Sequence, residues 1–192
     1  DDDPAQPSWN IWQYDSEIST VERVIQSDII AEAGHDISPH YLPSGRIVFT
    51  STRNQRTRAT LVDEGKPQYA PQTEIMQVDA FNLHTMAADG LDIRQISFNQ
   101  SHDLNPSVLP TGQIMFTRWD AAAGNNSLSL YTINPDGQQL SFLYGYHSQL
   151  IGTGASQAAL LKPRRLPGGD IIALLRPNQT QHRGGDIVRV NH

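Results

Sequence analysis

Three observations predict an all-β fold, a β-propeller of four-stranded antiparallel blades. A sequence unit repeats along the chain, hairpin-turn residues recur at fixed places within it, and no long helical period competes with its short apolar runs. The repeat is visible residue by residue. His35-Asp36-Ile37-Ser38-Pro39 recurs as His102-Asp103-Leu104-Asn105-Pro106, an offset of 67. Leu42-Pro43-Ser44-Gly45-Arg46-Ile47-Val48-Phe49-Thr50 recurs at the same offset as Leu109-Pro110-Thr111-Gly112-Gln113-Ile114-Met115-Phe116-Thr117. A third copy lies 57 residues further on, with Pro163 followed by Leu166-Pro167-Gly168-Gly169-Asp170-Ile171-Ile172-Ala173.

Each unit reads as four strands, A to D. Strand A leads from the His-Asp pair into a Pro-x-Gly turn. Strand B is the apolar run Arg46–Thr50 and its copies. Ile47-Val48-Phe49 does not alternate with polar residues, as a strand buried on both faces would not. Strand C is Leu83–Ala87, matched by Leu130–Asn134, Ile11–Tyr14 and Ile187–Val190. Strand D follows the Asp89-Gly90 and Asp136-Gly137 turns as Ile93–Ser97 and Leu140–Tyr144, with Val21–Ile25 as a further copy. Asp-Gly and Pro-x-Gly between β-rich runs are hairpin signals. The chain divides into 1–34 (strands C and D of a first blade), 35–97 (a second), 98–147 (a third) and 148–192 (strands A to C of a fourth). That makes thirteen strands, about three blade-equivalents, where closure takes about four to eight blades. The expectation is a partial propeller, a piece of a longer chain, completed by the rest of that chain, a protein partner or another copy.

Composition narrows the function classes. The chain of 192 residues carries 20 acidic and 14 basic side chains, a net charge of −6, without a basic block. That argues against nucleic acid as a partner. No apolar run is long enough for a membrane span. With no cysteine in the chain, disulfides, thiolate metal sites and covalent c-type haem attachment are excluded within it. The Gly-x-Ser-x-Gly elbow, His-Glu-x-x-His and Walker loop are all missing. Gly152-Thr153-Gly154 lacks the third glycine of a dinucleotide loop. Asn99, Asn125 and Asn178 open glycosylation sequons, relevant only in a glycosylating host.

The pattern Asp-x-x-Pro-x-x-x-Pro-x-Gly-x-Ile-x-Phe, followed by Leu-x-x-Met-x-x-Asp-Gly, resembles the repeat of TolB-type propellers. A closer resemblance, spread over nearly the whole chain, is to propellers of proteins related to the hydrazine synthase alpha subunit. The residues that carry it are Trp9–Asp15, Ala31–Asp36, Phe98–Asp103 and Arg118–Asp120. The resemblance implies a periplasmic or extracellular protein. It also implies a setting in which a propeller accompanies c-type haem domains.

Meander geometry sorts the loops onto two ends. A–B and C–D turns are tight and share one end. The long connections Gln26–Gly34, Ser51–Asn82, Arg118–Asn126, Gly145–Leu161 and Arg176–Gly185 share the other. Long loops on a rigid scaffold are where binding resides, so any ligand is expected there, near His35, Asp36, Arg53, His102, Asp103, Arg118 and His147. The histidines could donate protons or take a metal, and the arginines could recognise an anion. The competing reading gives the two Asp residues loop-pinning hydrogen bonds and makes the arginines their partners. A metal is not expected, and no cofactor is specified. His84, aligned with Tyr131 and Trp12, reads as a buried core residue. His40, His182 and His192 gain no partner from spacing, while Arg56, Arg58, Arg164, Arg165 and Arg176 share with Arg53 and Arg118 the two readings of anion recognition and structural ion pairing. The 51–82 insertion is too apolar for a free linker.

The functional expectation is a non-enzymatic propeller segment, a scaffold or docking and ligand-binding module of a larger extracytoplasmic protein. The alternative is the propeller part of a hydrazine-synthase-like redox or multihaem assembly, its haem supplied by another segment or subunit. A third reading, a propeller gating a small substrate, needs a catalytic domain outside this chain.

Overall fold

Short apolar runs separated by tight turns leave the backbone one economical choice, the antiparallel meander, and the chain adopts it repeatedly. A computed structural model of the chain describes residues 8–53, 65, 79–120, 127–145, 158–177 and 184–190. The strands are β1 (Trp12–Asp15), β2 (Thr20–Arg23), β3 (Asp36–Tyr41), β4 (Ile47–Ser51), β5 (Asn82–Met86), β6 (Arg94–Gln95), β7 (Asp103–Val108), β8 (Ile114–Asp120), β9 (Ser127–Ile133), β10 (Ser141–Tyr144), β11 (Ala158–Arg165), β12 (Ile171–Pro177) and β13 (Asp186–Val190). Among the described residues the one helix is a single turn, α1 (Asp28–Ala31), inside the long connection from β2 to β3. The all-β expectation holds.

The strands form three hydrogen-bonded sheets. One is the hairpin β1–β2, and the second runs β3-β4-β5-β6. The third runs β13-β12-β11-β9-β8-β7, with β10 on the far side of β9. Within it, β7 to β10 and β11 to β13 are separate meanders. They are joined by one parallel bridge, Ala159 to Leu128, and by Thr117 Oγ1 donating to the Leu160 carbonyl at 2.9 Å. The sequence reads these meanders as separate units and gives no sign of that bridge.

The non-alternating B strands are explained by what lies on each side of them. Ile47 and Phe49 of β4 pack with Ile11, Val24, Ile25, Ala31 and Met86. Val48, between them, points the other way, into a core with Leu42, Leu83, Ile96, Ile114, Phe116 and Ile133. Met115 of β8 turns in its own turn away from Ile114 and Phe116, towards Leu130, Leu160, Ile171, Ala173 and Val190. Three cores thus lie between four successive layers, and each central strand is apolar on both faces.

The tight turns close as their residues predict. Gly45 N donates to the Leu42 carbonyl at 2.9 Å, Gly112 N to Leu109 at 2.8 Å and Gly169 N to Leu166 at 3.0 Å. Gly45 and Gly112 lie at the opposite end of β3–β4 and β7–β8 from Asp36↔Ser51 and Asp103↔Arg118, the pairs beside His35 and His102. The D strands are less regular than expected. Only Arg94–Gln95 of the Ile93–Ser97 segment pairs as strand, because Ile96 N and Ser97 N both turn to the Leu83 carbonyl.

Candidate functional site

The His-Asp pair opens strand A twice, and both times it builds the same arrangement. Asp36 N donates to the Trp9 carbonyl at 2.8 Å, and Asp103 N donates to the Phe81 carbonyl at 2.7 Å. In return, Trp9 N donates to Nδ1 of His35 at 3.2 Å, and Phe81 N donates to Nδ1 of His102 at 3.0 Å. Trp9 and Phe81 each stand just ahead of the C strand in the preceding sheet. Each His-Asp pair therefore clasps the sheet before it with two backbone bonds. A second pair of bonds ties the same residues to their own B strand. Thr52 N donates to the His35 carbonyl at 3.1 Å and Trp119 N to the His102 carbonyl at 2.8 Å.

The Asp side chains point inward and meet arginines leaving strand B. Arg53 closes a two-pronged contact on Asp36, with Nε 3.0 Å from Oδ1 and an Nη2 bond to Oδ2. Ser51 Oγ adds a bond to Asp36 Oδ1 at 2.6 Å, and Arg53 Nη1 reaches the Ile30 carbonyl at 3.1 Å. Both partners are buried. Arg118 repeats the fork on Asp103, with Nε at 2.8 Å from Oδ1 and Nη2 at 2.9 Å from Oδ2. Its guanidinium also lies over the rings of Phe116 and Tyr131, at 5.7 and 5.4 Å from their centroids. Paired forks of this kind are strong and directional.

The two copies differ in their surroundings. At the second, Asn99 Nδ2 donates to Asp103 Oδ1, to the His102 carbonyl and to the Trp119 carbonyl, at 3.2, 3.2 and 2.8 Å. The His102 ring stacks on Trp119 at 5.2 Å. At the first, His35 is exposed, and Thr52 fills the position of Trp119, its Oγ1 accepting from His35 N at 2.9 Å.

Burial sets the protonation behaviour. It pushes the His102 imidazole below its ordinary value, the nearby Asp103 charge opposing in part. It pushes the Asp36 carboxyl up, against the pull of Arg53 and of the Arg53 and Ser51 hydrogen bonds. His84, the expected core histidine, is buried and held neutral down to about 3, with Nδ1 2.9 Å from the Asn82 carbonyl.

The structure thus brings together Asp36 with Arg53 and Asp103 with Arg118, each pair flanked by its histidine's backbone. It places His35 and His102 at two separate clasps. His147 lies outside the described residues, as does most of the 51–82 insertion, with Arg56 and Arg58 in it. Among the described residues, no three His, Asp or Glu side chains are grouped to hold a metal ion. Sequence reasoning missed Trp9 and Phe81, because they act through their backbone. The aromatic-Asn pairs Trp9-Asn10 and Phe81-Asn82, each leading into strand C, were the available signal.

No family model and no curated protein matches the chain. Its fold is similar to that of solved structures. Hydrazine synthase from Kuenenia stuttgartiensis superposes with a TM-score of 0.62 at 16% identity, over 88% of this chain and 26% of that one. A TolB protein from Agrobacterium tumefaciens aligns over 95% of this chain and 78% of its own, at 12% identity and a TM-score of 0.42. The chain spans about a quarter of the length of the hydrazine synthase chain it matches. At such identity the likeness is one of fold, a propeller-type domain.

Proposed function

We propose that the chain is a partial β-propeller, about three blade-equivalents divided at 34, 97 and 147, which serves a larger extracytoplasmic protein as a non-enzymatic scaffold and docking module. The observation that carries this reading is the repeated buried pair. The side chains with the chemistry to bind an anion, Arg53 and Arg118, have closed their forks on Asp36 and Asp103. The histidines beside them hold neighbouring sheets together through Nδ1. Residues so committed position backbone.

In this reading the missing strands come from the rest of a longer chain, from a protein partner or from another copy. Light scattering on the isolated 192-residue chain tests that part, with self-association or aggregation expected. A monodisperse monomer with a cooperative melt would refute it. The scaffold role is tested by Arg118→Ala, for which a lowered melting temperature is expected. An unchanged melt together with loss of ligand or partner capture would instead make Arg118 a recognition residue and the long-loop end a binding site.

A second reading draws on the Trp9–Asp15 and Phe98–Asp103 resemblance and on the fold likeness to hydrazine synthase. The segment then belongs to a redox assembly whose haem is carried by another segment or subunit. A Soret band in the native assembly supports that reading, and its absence removes it.

A further inference from the structure

The three successive A strands β3, β7 and β11 share a backbone irregularity that their hydrogen-bond partners do not. Ser38, Asn105 and Lys162 are equivalent in the repeat. Each is left-handed, at φ 55, 53 and 50°, and each precedes a proline. A residue before proline ordinarily stays extended, so three left-handed ones at one position are a built feature. At each, the pairing with strand B slips, between Ile37 and His40, Leu104 and Ser107, and Leu161 and Arg164. The residues just past the slip, His40, Ser107 and Arg164, are likewise equivalent. Asn105 Oδ1 accepts from Lys162 N at 3.3 Å, tying two of the bulges together.

Side chains 124 residues apart meet as a result. Arg164 Nη2 lies 3.4 Å from His40 Nε2, with the short, buried Ser107 at the equivalent position of the strand between. Its Nη1 donates to the Pro163 carbonyl at 2.8 Å. This guanidinium differs from Arg23, Arg46, Arg53, Arg94, Arg118 and Arg189, each of which faces an aspartate. Lys162, exposed on the same strand, has no side-chain hydrogen bond or ion pair among the described residues. A guanidinium only donates, so the contact fits a neutral His40 whose Nε2 carries no proton, and among the described residues no carboxylate completes it. Burial, and after it the Arg164 charge, hold His40 below its ordinary value. Arg164 and the intervening Ser107 border a groove of about 410 Å³ that Arg165 also lines, and His40 borders a second groove, of about 230 Å³, with Trp12, Tyr14 and Tyr41.

We infer that Arg164 and His40, with Lys162 nearby, form a binding site for a small oxyanion of the phosphate type. The anion accepts from the unused Arg164 donors, and its charge favours a proton on Nε2 of His40, so that the ring donates to the anion in place of accepting from Arg164. The site lies towards the tight-turn end of strand A, away from the long-loop end where Asp36 and Asp103 sit. It is therefore independent of whether those pairs are structural.

The test is an NMR titration of the histidine side chains of the full chain with inorganic phosphate, at constant ionic strength and constant pH. Saturable shifts of the His40 ring are expected, with chloride producing none. Arg164→Gln is expected to weaken binding by about tenfold or more, and Lys162→Gln by less. Arg189→Gln, at an exposed pair elsewhere, is expected to leave it unchanged. If His40 does not respond saturably, or responds equally to chloride or in Arg164→Gln, the site does not exist. Because Arg164 is exposed and its variant is expected to fold, an unaltered melt accompanies a valid result. Should Arg164→Gln unfold, undiminished binding by Lys162→Gln together with equal response to chloride also overturns the inference.

Discussion

Phe81 donates its backbone N–H to Nδ1 of His102 at 3.0 Å, a bond that only the Nε2–H tautomer of the neutral ring can accept. The Trp9–His35 contact repeats it. Two successive sheets are thus held by a bond that disappears when the imidazole takes a second proton.

The first prediction is a loss of stability on acidification. His102, His40 and His84 all sit below their ordinary value in the folded chain, chiefly through burial. The unfolded chain then binds more protons than the folded one below about pH 6.5, so stability is complete above that pH and falls as pH drops towards each folded value. For His84, the gap between 6.5 and about 3 corresponds to roughly 5 kcal/mol by the time pH reaches the lower value. Asp36, raised by burial, acts oppositely in the window above 3.8, its contribution falling as pH rises. Urea denaturation at a series of pH values checks the sum. A flat profile between pH 7 and 5 would contradict it.

Breaking either buried pair should cost far more than breaking an exposed one. Asp36→Ala leaves the buried Arg53 guanidinium without its carboxylate, a loss of about 3–5 kcal/mol, and Asp103→Ala removes the fully buried partner of the part-buried Arg118, with a loss of similar order. Asp170 pairs with Arg189, whose side chain is 67% exposed, and Asp170→Ala should cost about 1 kcal/mol or less. Melting temperatures should therefore drop by roughly 10 °C for the first two variants and by only a few degrees for the third. Equal drops across the three would show that burial does not govern these pairs.

Two turn glycines should respond unequally to alanine. Gly45 and Gly90 both have φ near +80°, so each substitution carries the left-handed strain of about 1–2 kcal/mol. Around Gly45 there is open space, whereas a Cβ on Gly90 would lie 2.3 Å from the Val24 carbonyl oxygen of the adjoining hairpin. Gly45→Ala should fold with a small loss. Gly90→Ala should push β1–β2 off the next sheet and lower stability by several times as much, as read by chemical denaturation.

The Asn99 sequon should remain unmodified in a secreting, glycosylating host once the chain has folded. Its amide nitrogen donates to three oxygens, and Ser101 is buried. A glycan there would displace the Asp103 contact. Peptide mass mapping of the secreted protein decides, and high occupancy at Asn99 would mean that the Asn99–Asp103 arrangement is not the folded state.

The repeat made strands and tight turns legible because both depend on local residues. Gly45 and Gly112 match in sequence and in turn, and Ile47-Val48-Phe49 announces two buried faces by failing to alternate. The Asp–Arg pairs were legible as one of two alternatives, since Arg53 and Arg118 leave strand B beside the aspartates that open strand A. The clasps were not, because Trp9 and Phe81 contribute main-chain atoms, which any residue carries. The left-handed Ser38, Asn105 and Lys162 ran against local preference, since X-Pro argues for an extended residue. The meeting of His40 with Arg164 needed three strands to converge, and no spacing within one strand encodes that.

Three separate apolar cores, each enclosed by two adjacent layers, give the molecule the cooperativity of a short linear array. Each layer draws its stabilisation from its immediate neighbours, so opening can begin at an end and advance one interface at a time. The β1–β2 hairpin is the weakest end. Its strand side chains are almost all exposed, and a single core and the Trp9 clasp hold it to the rest. Its amides should exchange with solvent well before those of β4, β5 or β8, which have layers on both sides. A partner that covered that hairpin would then stiffen the array progressively, interface after interface, without touching the layers further along.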